Sequence, residues 1–515
     1  MWSLITAAPL LIVVLIVVGV TAHDLIQRKH AILRNFPILG HFRYLFESVG
    51  PELRQYIVTG NNEERPFSRD QRSWIYASSK SQNNYQGFGT DDELELSPNY
   101  MIIKHSAFPL SSPRPGDQEY DPNHTLPCAK VLGAHRGRVK AFRPNSAVNI
   151  SGMSYGSLSG PAVEALNRGS QLCGCLQNTG EGSVSGFHLK GGDLVWQIGT
   201  GYFGCRDDSG HFSMDRFRET VARGPVRAIE IKLSQGAKPG LGGLLPGAKV
   251  SPQIAETRGI PVGKTCASPS GHTAFGSVDG LLDFVEMLAD DTGLPVGIKS
   301  AVGEQDFWRE LVHLSATTGR GVDFVTIDGG EGGTGAGPLV FADHVALPFK
   351  QAFSRVYREF AERGLQDDVV FIGSGRLGFP ESAILAFALG CDMINVAREA
   401  MMAIGCIQAQ RCHTGHCPTG VATQNRWLMR GLDPTLKSVR LANYVVNLRK
   451  ELLSVSRACG LCHPGLLSNP HIEILDGQLG AKSLFDVFGY QGQWGLPSVS
   501  DQQAIRRIMD ECSGL

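Results

Sequence analysis

Residues Phe324 to Pro338 have the sequence FVTIDGGEGGTGAGP, and this stretch is the clearest guide to the fold. Its first part, Phe324–Asp328, is a short apolar run with β-branched residues, as expected of a strand buried on both faces of a sheet. The run passes directly into a glycine-rich loop, Asp328–Pro338. Such loops offer bare backbone N–H groups, which a phosphate group requires. The stretch therefore predicts a buried strand whose carboxyl end carries a phosphate-binding loop.

The same type of strand recurs along the middle of the chain. Helical patterns lie between several of these runs, and alternation of this kind is typical of a (β/α)8 TIM barrel, although a doubly wound sheet can produce it. The glycine-rich, polar residues follow the strands, where such barrels place their active sites, so we predict an α/β fold of the barrel type. The other predicted strands are Ala147–Ser151, Ala228–Leu233, Pro295–Ser300, Val369–Gly373 and Met393–Ala397, and the helices are Val278–Asp290, Gln305–Thr318 and Pro380–Leu389.

Three further polar clusters follow predicted strands. Within Ile231–Gly247, the polar side chains of Lys232, Gln235 and Lys238 lie among glycines. The G-T-G-A-G motif of the first loop is only a weak match to a dinucleotide-binding fingerprint, because that loop comes late in the series of strands. Together the loops indicate a phosphorylated redox cofactor. The remaining clusters are Gly152–Ser159 with Gln177–Ser183, and Gly373–Gly378.

A cysteine-rich segment follows the last predicted strand. Ile404–Gln424 contains Cys406, Cys412 and Cys417 in a C-x5-C-x4-C spacing. Short loops can bring three sulfurs to one inorganic centre without a large entropic cost of closure. An iron–sulfur cluster is one interpretation. Zinc, with a neighbouring histidine as fourth ligand, is the other, and the spacing alone does not separate them.

Composition narrows the class of protein. The chain has 515 residues, 42% of them hydrophobic, and a net charge of -1, which fits a globular enzyme. A nucleic-acid-binding surface would need a basic excess, so we expect no nucleic-acid partner. Twelve cysteines are too few for a disulfide scaffold in a chain of this length, which indicates a reducing compartment.

The amino terminus carries an uncharged apolar run, Leu4–Ala22, long enough to cross a bilayer as a helix. Arg28, Lys29 and Arg34 follow it, and positive charge after a span places the bulk of the chain on the cytoplasmic side. A signal peptide is the alternative, because Val20–Ala22 resembles a cleavage site. No basic residue precedes the run, so a single-pass membrane anchor is the favoured interpretation.

The predicted organisation has four parts. Residues 1–23 form a transmembrane anchor, 24–145 a lead-in region, 146–430 the barrel with its cysteine loop, and 431–515 a C-terminal helical extension. Within the lead-in, Glu63–Asp92 resembles an extended arm that lies on another surface. An arm over a neighbouring subunit would make a homo-oligomer, and the sequence leaves the oligomeric state open.

Taken together, the motifs resemble the FMN-binding synthase domain of glutamate synthase. The resemblance covers about residues 147 to 430 and rests on GMSYGSLS, NTGEG, QGAKPGLGGLLPG, the loop after Asp328 and C-x5-C-x4-CP-x-GVATQ, in that family's order. It implies a (β/α)8 barrel holding FMN. It also implies a three-iron, four-sulfur cluster at the three cysteines, which moves zinc to second place.

The resemblance also implies roles for individual residues. Gln235 and Lys238 would hold the carboxylates of 2-oxoglutarate or of the iminoglutarate formed from it, and Arg258 would grip a carboxylate. Lys299 resembles the lysine near the flavin N1–C2=O edge, so Lys238, Gln235 and Lys299 form the expected catalytic set. The expected contacts to the FMN phosphate are Gly332, Gly333, Thr334, Gly335, Gly373, Gly375 and Arg376, and those to the isoalloxazine are Met153, Ser154 and Asn178.

The implied reaction is the reduction of an imino acid, made from a 2-oxo acid and ammonia or an amine, to an amino acid. The resemblance leads us to expect the electron donor, a ferredoxin or a reductase subunit, and the ammonia source outside this chain. Two alternatives stay open: a subunit of the N-methylglutamate synthase type, and an electron-transfer subunit without a substrate of its own. The carboxylate-binding residues argue against the second, because a pure carrier has no need of them.

Overall fold

The computed structural model describes residues 2–27, 30–118 and 120–513. The chain divides into two compact units, Met1–Ser73 and Trp74–Leu515. Arg28 and Lys29, which contributed to the predicted membrane orientation, lie outside the described residues.

The first unit is helical. One helix in the described part of the chain is long and apolar enough to cross a membrane, with a mean hydropathy of 2.3 over Pro9–Ile26. A membrane span and a signal sequence both meet this criterion, so the helix is compatible with either. The helices that lie wholly within this unit are α1 (Trp2–Ile26), α2 (Ala31–Asn35) and α3 (Leu39–Leu53), followed by a π-helix (Arg54–Val58).

The second unit contains the strands. Those of the central sheet carry apolar, β-branched residues that are buried along most of their length, which is the composition expected of strands covered on both faces. In chain order, the strands are β1 (Met101–Ile103), β2 (Val148–Ile150), β3 (Gln177–Asn178), β4 (Leu194–Ile198), β5 (Val226–Lys232), β6 (Leu244–Leu245), β7 (Cys266–Ala267), β8 (Val296–Ser300), β9 (Phe324–Asp328), β10 (Val370–Ser374), β11 (Met393–Val396), β12 (Ile472–Leu475) and β13 (Ala481–Ser483).

Eight of these strands close into a parallel barrel in the order β2-β3-β4-β5-β8-β9-β10-β11, and β11 pairs with β2 through Ile394 and Val148. A doubly wound sheet would leave two open edges, so the predicted (β/α)8 barrel is confirmed. The predicted strand over Phe324–Asp328 has the predicted bounds, and the other five agree within two residues. The two barrel strands that the sequence did not reveal are β3, which is short and polar, and β4.

Helices cover the outside of the barrel and begin where the sequence supplies caps. Ser159 and Ser277 accept hydrogen bonds from the first turns of α5 and α8, and Gly174 and Gly293 end these helices in the left-handed conformation. The helices are α4 (Arg69–Ser79), α5 (Gly160–Cys173), α6 (Met214–Ala222), α7 (Pro252–Arg258), α8 (Val278–Thr292), α9 (Asp306–Thr318), α10 (Leu339–His344), α11 (Phe349–Ala361), α12 (Pro380–Ala388), α13 (Arg398–Ala403), α14 (Arg426–Met429), α15 (Pro434–Ala458), α16 (Leu484–Phe488) and α17 (Val499–Ser513).

The extended arm expected over Glu63–Asp92 is a helix in its central part, where α4 forms. Trp74 explains why this polar segment is ordered. Its Nε1 donates to Glu451 at 3.0 Å, and its ring lies 5.9 Å from that of Phe379 and 6.1 Å from that of Tyr444. The sequence pattern of α4 is weak because three of its four buried residues, Arg72, Ser78 and Ser79, are polar, and the prediction of an extended chain was therefore wrong here.

The C-terminal region is only partly helical. The long helix α15 packs along α5, as expected of a helical extension. However, β12 pairs antiparallel with both β1 and β13 to form a three-stranded sheet. The strand partner β1 comes from the lead-in region, more than 300 residues earlier in the chain, so this pairing had no local signal in the sequence.

Candidate active site

All eight barrel strands run in parallel, so their carboxyl ends open onto one mouth of the barrel. The sequence places charged and amide side chains at or just after these ends. They form three layers of contacts, from a buried carboxylate inside the barrel, through a buried ion pair, to a half-buried group at the mouth.

The deepest layer centres on Glu230 of β5, which is fully buried. Its Oε1 accepts hydrogen bonds from Asn178 Nδ2 at 2.7 Å and Gln197 Nε2 at 2.6 Å, and its Oε2 accepts from Thr326 Oγ1 at 2.7 Å. Four strands are thereby tied to one carboxylate. The Oδ1 of Asn178 accepts from Gly180 N at 2.9 Å, so the amide predicted to border a flavin is engaged on both sides by the protein.

The second layer is a buried ion pair at the ends of β8 and β9. Lys299 Nζ lies 3.3 Å from Asp328 Oδ2, and Gly236 N donates to the same carboxylate at 3.0 Å. Burial by itself would lower the pKa of Lys299, but the carboxylates of Asp328 and Glu230 outweigh burial and raise it. Lys299 is therefore a fixed positive charge at the base of the mouth.

The third layer connects β5 to the glycine loop after β9. Lys232 Nζ lies 3.2 Å from Glu181 Oε2 and donates to Gln235 Oε1 at 2.7 Å, while Gln235 Nε2 donates to Thr334 Oγ1 at 3.2 Å. Burial favours the neutral form of Glu181, yet Lys232 and Lys238 hold its pKa below the usual value. Gln235 is thus oriented by partners on both sides.

Lys238 lies beside this group and is half-buried. Burial lowers its pKa, Lys232 lowers it further, and Glu181 opposes the shift. A β-carbon built on Gly337 would lie 3.7 Å from that of Lys238, so the glycine loop after β9 approaches the lysine. The structure therefore brings Gln235, Lys238 and Thr334 together at the mouth.

Arg258 lies at the end of α7 and is only 5% exposed, which excludes a surface salt bridge. Its Nη2 donates to the carbonyl of Tyr155 at 3.0 Å, and its guanidinium lies 5.0 Å from the ring centroid of Phe203. Burial lowers its pKa. In this structure Arg258 supports the loop after β2.

That loop contains Met153 and Ser154, both half-buried at the mouth. It touches the loop after β3, because a β-carbon on Gly180 would lie 2.6 Å from Ser154 N and 2.9 Å from the carbonyl carbon of Met153. Gly180 has a φ of +66°, so both its conformation and its space favour glycine.

The predicted phosphate loops follow the sixth and seventh barrel strands. Gly332, Gly333, Thr334 and Gly335 lie in the loop after β9, and the last three of these are exposed. After β10, Gly375 has a φ of +127° and Arg376 a φ of +55°. Gly373 is different: a β-carbon there would lie 2.8 Å from Leu377 Cδ1 and 2.9 Å from Cys391 Sγ and from the ring of Phe349, so packing leaves no room for a side chain at this position.

Arg398 is a residue that the sequence analysis missed. It begins α13, directly after the eighth barrel strand, and its Nη2 donates to the carbonyl of Glu331. A β-carbon on Gly333 would lie 2.7 Å from its Cδ. The guanidinium therefore meets the glycine loop, where (β/α)8 barrels place their phosphate sites. An arginine directly behind a predicted strand was the available signal.

The three cysteines of the C-x5-C-x4-C segment lie in one loop after α13. Two side chains hydrogen-bond to the backbone of this loop. The Tyr76 hydroxyl donates to the carbonyl of Cys406 at 2.9 Å, and Lys249 Nζ donates to the carbonyl of Cys412 at 3.2 Å. Burial would raise the pKa of Cys417, but hydrogen bonds from nearby backbone N–H groups hold it below the usual value. Among the residues that the structure describes, no three His, Cys, Asp or Glu side chains are close enough to hold a metal ion. The iron–sulfur cluster stays a prediction.

Comparison with known proteins identifies the family. A model of the conserved region in glutamate synthase matches residues 130–461. The glutamate synthase large subunit-like protein YerD of Bacillus subtilis is 39% identical over 476 residues, which cover 87% of this chain and 90% of that protein. The archaeal glutamate synthase [NADPH] of Methanocaldococcus jannaschii is 35% identical over 325 residues, 62% of this chain and 59% of that enzyme.

The glutamate synthase [NADPH] large chain of Bacillus subtilis is 30% identical over 320 residues, and the match covers 20% of that protein. The region matched by the family model contains the closed barrel and the residues at its mouth. The family model covers well over half of the chain, and the match to YerD covers nearly all of both proteins. The chain therefore belongs to the glutamate synthase family of oxidoreductases.

Proposed function

We propose that this protein forms L-glutamate by reducing the imino acid made from 2-oxoglutarate and ammonia. The balanced reaction converts 2-oxoglutarate and ammonium, with two electrons and two protons, to glutamate and water. The observation that carries the proposal is the cationic and amide group at the barrel mouth, Gln235 with Lys238, inside the region matched by the family model. A dicarboxylate substrate is the chemistry that such a group recognises.

FMN is the cofactor that the mouth of the barrel fits. The N–H of Gly332 donates to the carbonyl of Gly329 at 2.9 Å, so Gly333 and Gly335 would supply the backbone donors of this loop, which the guanidinium of Arg398 contacts. Backbone N–H groups with an arginine suit a phosphate dianion. Arg376 and Gly375 would complete the phosphate site after β10, as predicted from the sequence. FMN would supply the hydride that reduces the imino acid.

The protein's own residues would orient the substrate and stabilise charge. Lys299 is held positive by Asp328, as required of a cation that stabilises a reduced, anionic flavin ring. Lys238 has a lowered pKa, and a substrate carboxylate beside it would favour its charged form. Gln235 is fixed by Lys232 and would donate from an amide already in place. The carboxylate-binding role predicted for Arg258 would use guanidinium donors other than the one that its Nη2 gives to the Tyr155 carbonyl.

Electrons would come from an external donor of the ferredoxin or reductase type, and ammonia from a source outside the chain. We propose that Cys406, Cys412 and Cys417 hold a three-iron, four-sulfur cluster, which would supply one-electron transfer. Backbone N–H groups that stabilise a thiolate, as at Cys417, are the surroundings that such a cluster requires. Iron analysis of the protein purified without oxygen tests this ligand set: Cys417→Ser should lose iron, whereas Cys462→Ser, outside the segment, should retain it. Iron retained in Cys417→Ser, or zinc in its place, would contradict the proposal.

The decisive experiment follows the flavin. Purified full-length protein loaded with FMN is reduced anaerobically with dithionite, and 2-oxoglutarate and ammonium are then added, together or singly. We expect the flavin absorbance to return only when both are present, with glutamate formed in equal amount. A flavin that stays reduced in all three samples would refute the proposed reaction. If methylamine instead of ammonium reoxidises the flavin and N-methylglutamate forms, the reaction is still the reduction of an imino acid, but the substrate amine is methylamine.

We also propose that α1 is a single-pass membrane anchor and that the bulk of the chain is cytoplasmic. The apolar window Pro9–Ile26 is only 6% buried within the protein, as expected of a helix that lipid surrounds. Extraction of cell membranes with alkaline carbonate tests this. The protein should stay in the membrane pellet at its full mass, whereas a signal sequence would be cleaved and leave a shorter, extractable chain.

A further inference from the structure

Helix α3 has a continuous apolar stripe on one side. Its apolar residues recur at the spacing of one helical face, and all of them are exposed. Phe46, near the middle of the stripe, is 62% exposed. Arg43 and Glu47, which pair at 2.9 Å, lie off the stripe, as does Glu52. The stripe consists of Leu39, Phe42, Leu45, Phe46, Val49 and Leu53, and Ile57 of the π-helix continues it.

The side of α3 that faces its own unit is a different one. A β-carbon on Gly40 would lie 3.0 Å from Leu33 of α2, so the two helices touch at this glycine. The next residue, His41, faces Asp24 of α1, with its Nε2 2.9 Å from Asp24 Oδ2. On a helix with 3.6 residues per turn, Gly40 and His41 lie on the side away from Phe46. The helices of this unit therefore leave the stripe uncovered.

The same contacts fasten the start of α3 to the end of α1. Asp24 lies in the last turn of α1 and is fully buried. Besides His41, it accepts a hydrogen bond from the backbone N–H of Ile38, the residue before α3, at 3.0 Å. Ile38 has a φ of +65°, which is rare for a β-branched residue. The apolar window of α1 ends at Ile26, so α3 begins at the level where a span would leave the bilayer.

We propose that α3 and the π-helix lie in the membrane interface, with the apolar stripe inserted into the bilayer surface. This proposal rests on α1 spanning the membrane and goes beyond the proposed reaction, which does not involve these residues. α3 has 15 residues and is about 22 Å long, enough to fix the chain along the surface as well as through it. Arg43 and Arg54 are balanced by Glu47 and Glu52, so the binding comes from apolar burial and not from anionic lipid.

The test uses two variants of the full-length protein in phosphatidylcholine vesicles. Phe46→Trp puts a fluorophore on the stripe, and Ser48→Trp, the matched control, puts one on the exposed opposite side. The added emission is the tryptophan fluorescence of each variant minus that of the parent protein. Lipids brominated near the headgroup end of the acyl chains should quench the added emission of Phe46→Trp and spare that of Ser48→Trp. Aqueous acrylamide should show the reverse order, and added anionic lipid should not change either result.

Three results would overturn the proposal. Equal quenching of both variants by acrylamide would mean that the stripe faces water. Shielding of Phe46→Trp from both quenchers, with concentration-dependent cross-linking, would mean that a second copy covers the stripe. A purified mass without α1 would remove the span on which the proposal depends. Flavin reoxidation measured on the same samples separates these failures from a failure of the proposed reaction.

Discussion

The sharpest test of the site's architecture is the removal of the buried carboxylate of Glu230. Glu230→Leu fills a similar volume but accepts no hydrogen bond, so Asn178, Gln197 and Thr326 would all lose their partner. Each buried donor left without an acceptor costs about 1–3 kcal/mol, so the loss in the free energy of unfolding should be at least about 3 kcal/mol. Lys299 would also lose a nearby negative charge, which adds to this loss, whereas removal of the buried carboxylate also removes its desolvation cost.

Glu230→Gln is the matched control. Its amide oxygen can still accept from Asn178 and Gln197, and its amide nitrogen would face the Thr326 hydroxyl, which can accept as well as donate. The three hydrogen bonds are therefore kept, and only the charge is lost. We expect a clearly smaller loss of stability than with leucine, together with a lower pKa of Lys299.

Urea unfolding of the detergent-solubilised protein, followed by tryptophan fluorescence, measures both variants. Cofactor-free protein is used, because differences in FMN retention would otherwise contribute to the midpoint. A Glu230→Leu protein as stable as the parent would refute the assignment of Glu230 as the acceptor that ties the strands together. Equal damage from leucine and glutamine would show that the charge matters and the hydrogen bonds do not.

Three other predictions concern function and pH. Lys238→Ala should abolish reoxidation of the flavin by 2-oxoglutarate and ammonium while FMN stays bound, and unchanged turnover would contradict its carboxylate-binding role. Arg398→Ala should weaken FMN binding tenfold or more, because a hydrogen bond to a charged group contributes about 1.5–3 kcal/mol. Titration of the protein with FMN measures this affinity, and the control Arg309→Ala, which replaces an exposed arginine, should leave it unchanged. Burial lowers the pKa of His463 from 6.5 to about 4, with its Nε2 2.9 Å from the Pro127 carbonyl oxygen. The unfolded chain therefore binds the proton first, and stability should fall as the pH drops from 6.5 to 4, by about 3 kcal/mol at most. His463→Gln keeps a donor without titrating, so its melting temperature should depend less on pH in that window; an unchanged slope would contradict this.

Much of the fold was predictable because its signals are local. A buried strand needs an apolar, β-branched run, and a phosphate-binding loop at its carboxyl end needs glycine. The sequence of Phe324–Pro338 therefore predicted both the strand and the loop. The same kind of signal located six of the eight barrel strands. It failed at Gln177–Asn178, which has two residues and no apolar side chain, and at α4, whose buried residues are mostly polar and whose Trp74 bonds to Glu451, 377 residues away.

The residues at the mouth were predicted as a group, but their partners were not. The structure brings Gln235 and Lys238 together with Thr334, although the motifs assigned the first two to the substrate and the third to the FMN phosphate. It also shows a hydrogen bond from Asn178 to Glu230 and one from Arg258 to the Tyr155 carbonyl, and no motif predicts either contact. These contacts join residues far apart in sequence, so no local pattern records them.

The amino-acid sequence by itself determined which segments are strands, where the flexible glycine loops lie, that three cysteines share one short segment and that the amino terminus is apolar. These properties depend on each residue's own side chain and backbone preferences. The tertiary structure alone decided which buried polar groups satisfy one another, such as Glu230 with Thr326, 96 residues away. It also decided that Arg398 reaches the glycine loop and that one face of α3 is left exposed. Closing the barrel and packing the helices set these distances, because a buried donor or charge must find its partner wherever the fold brings one within reach.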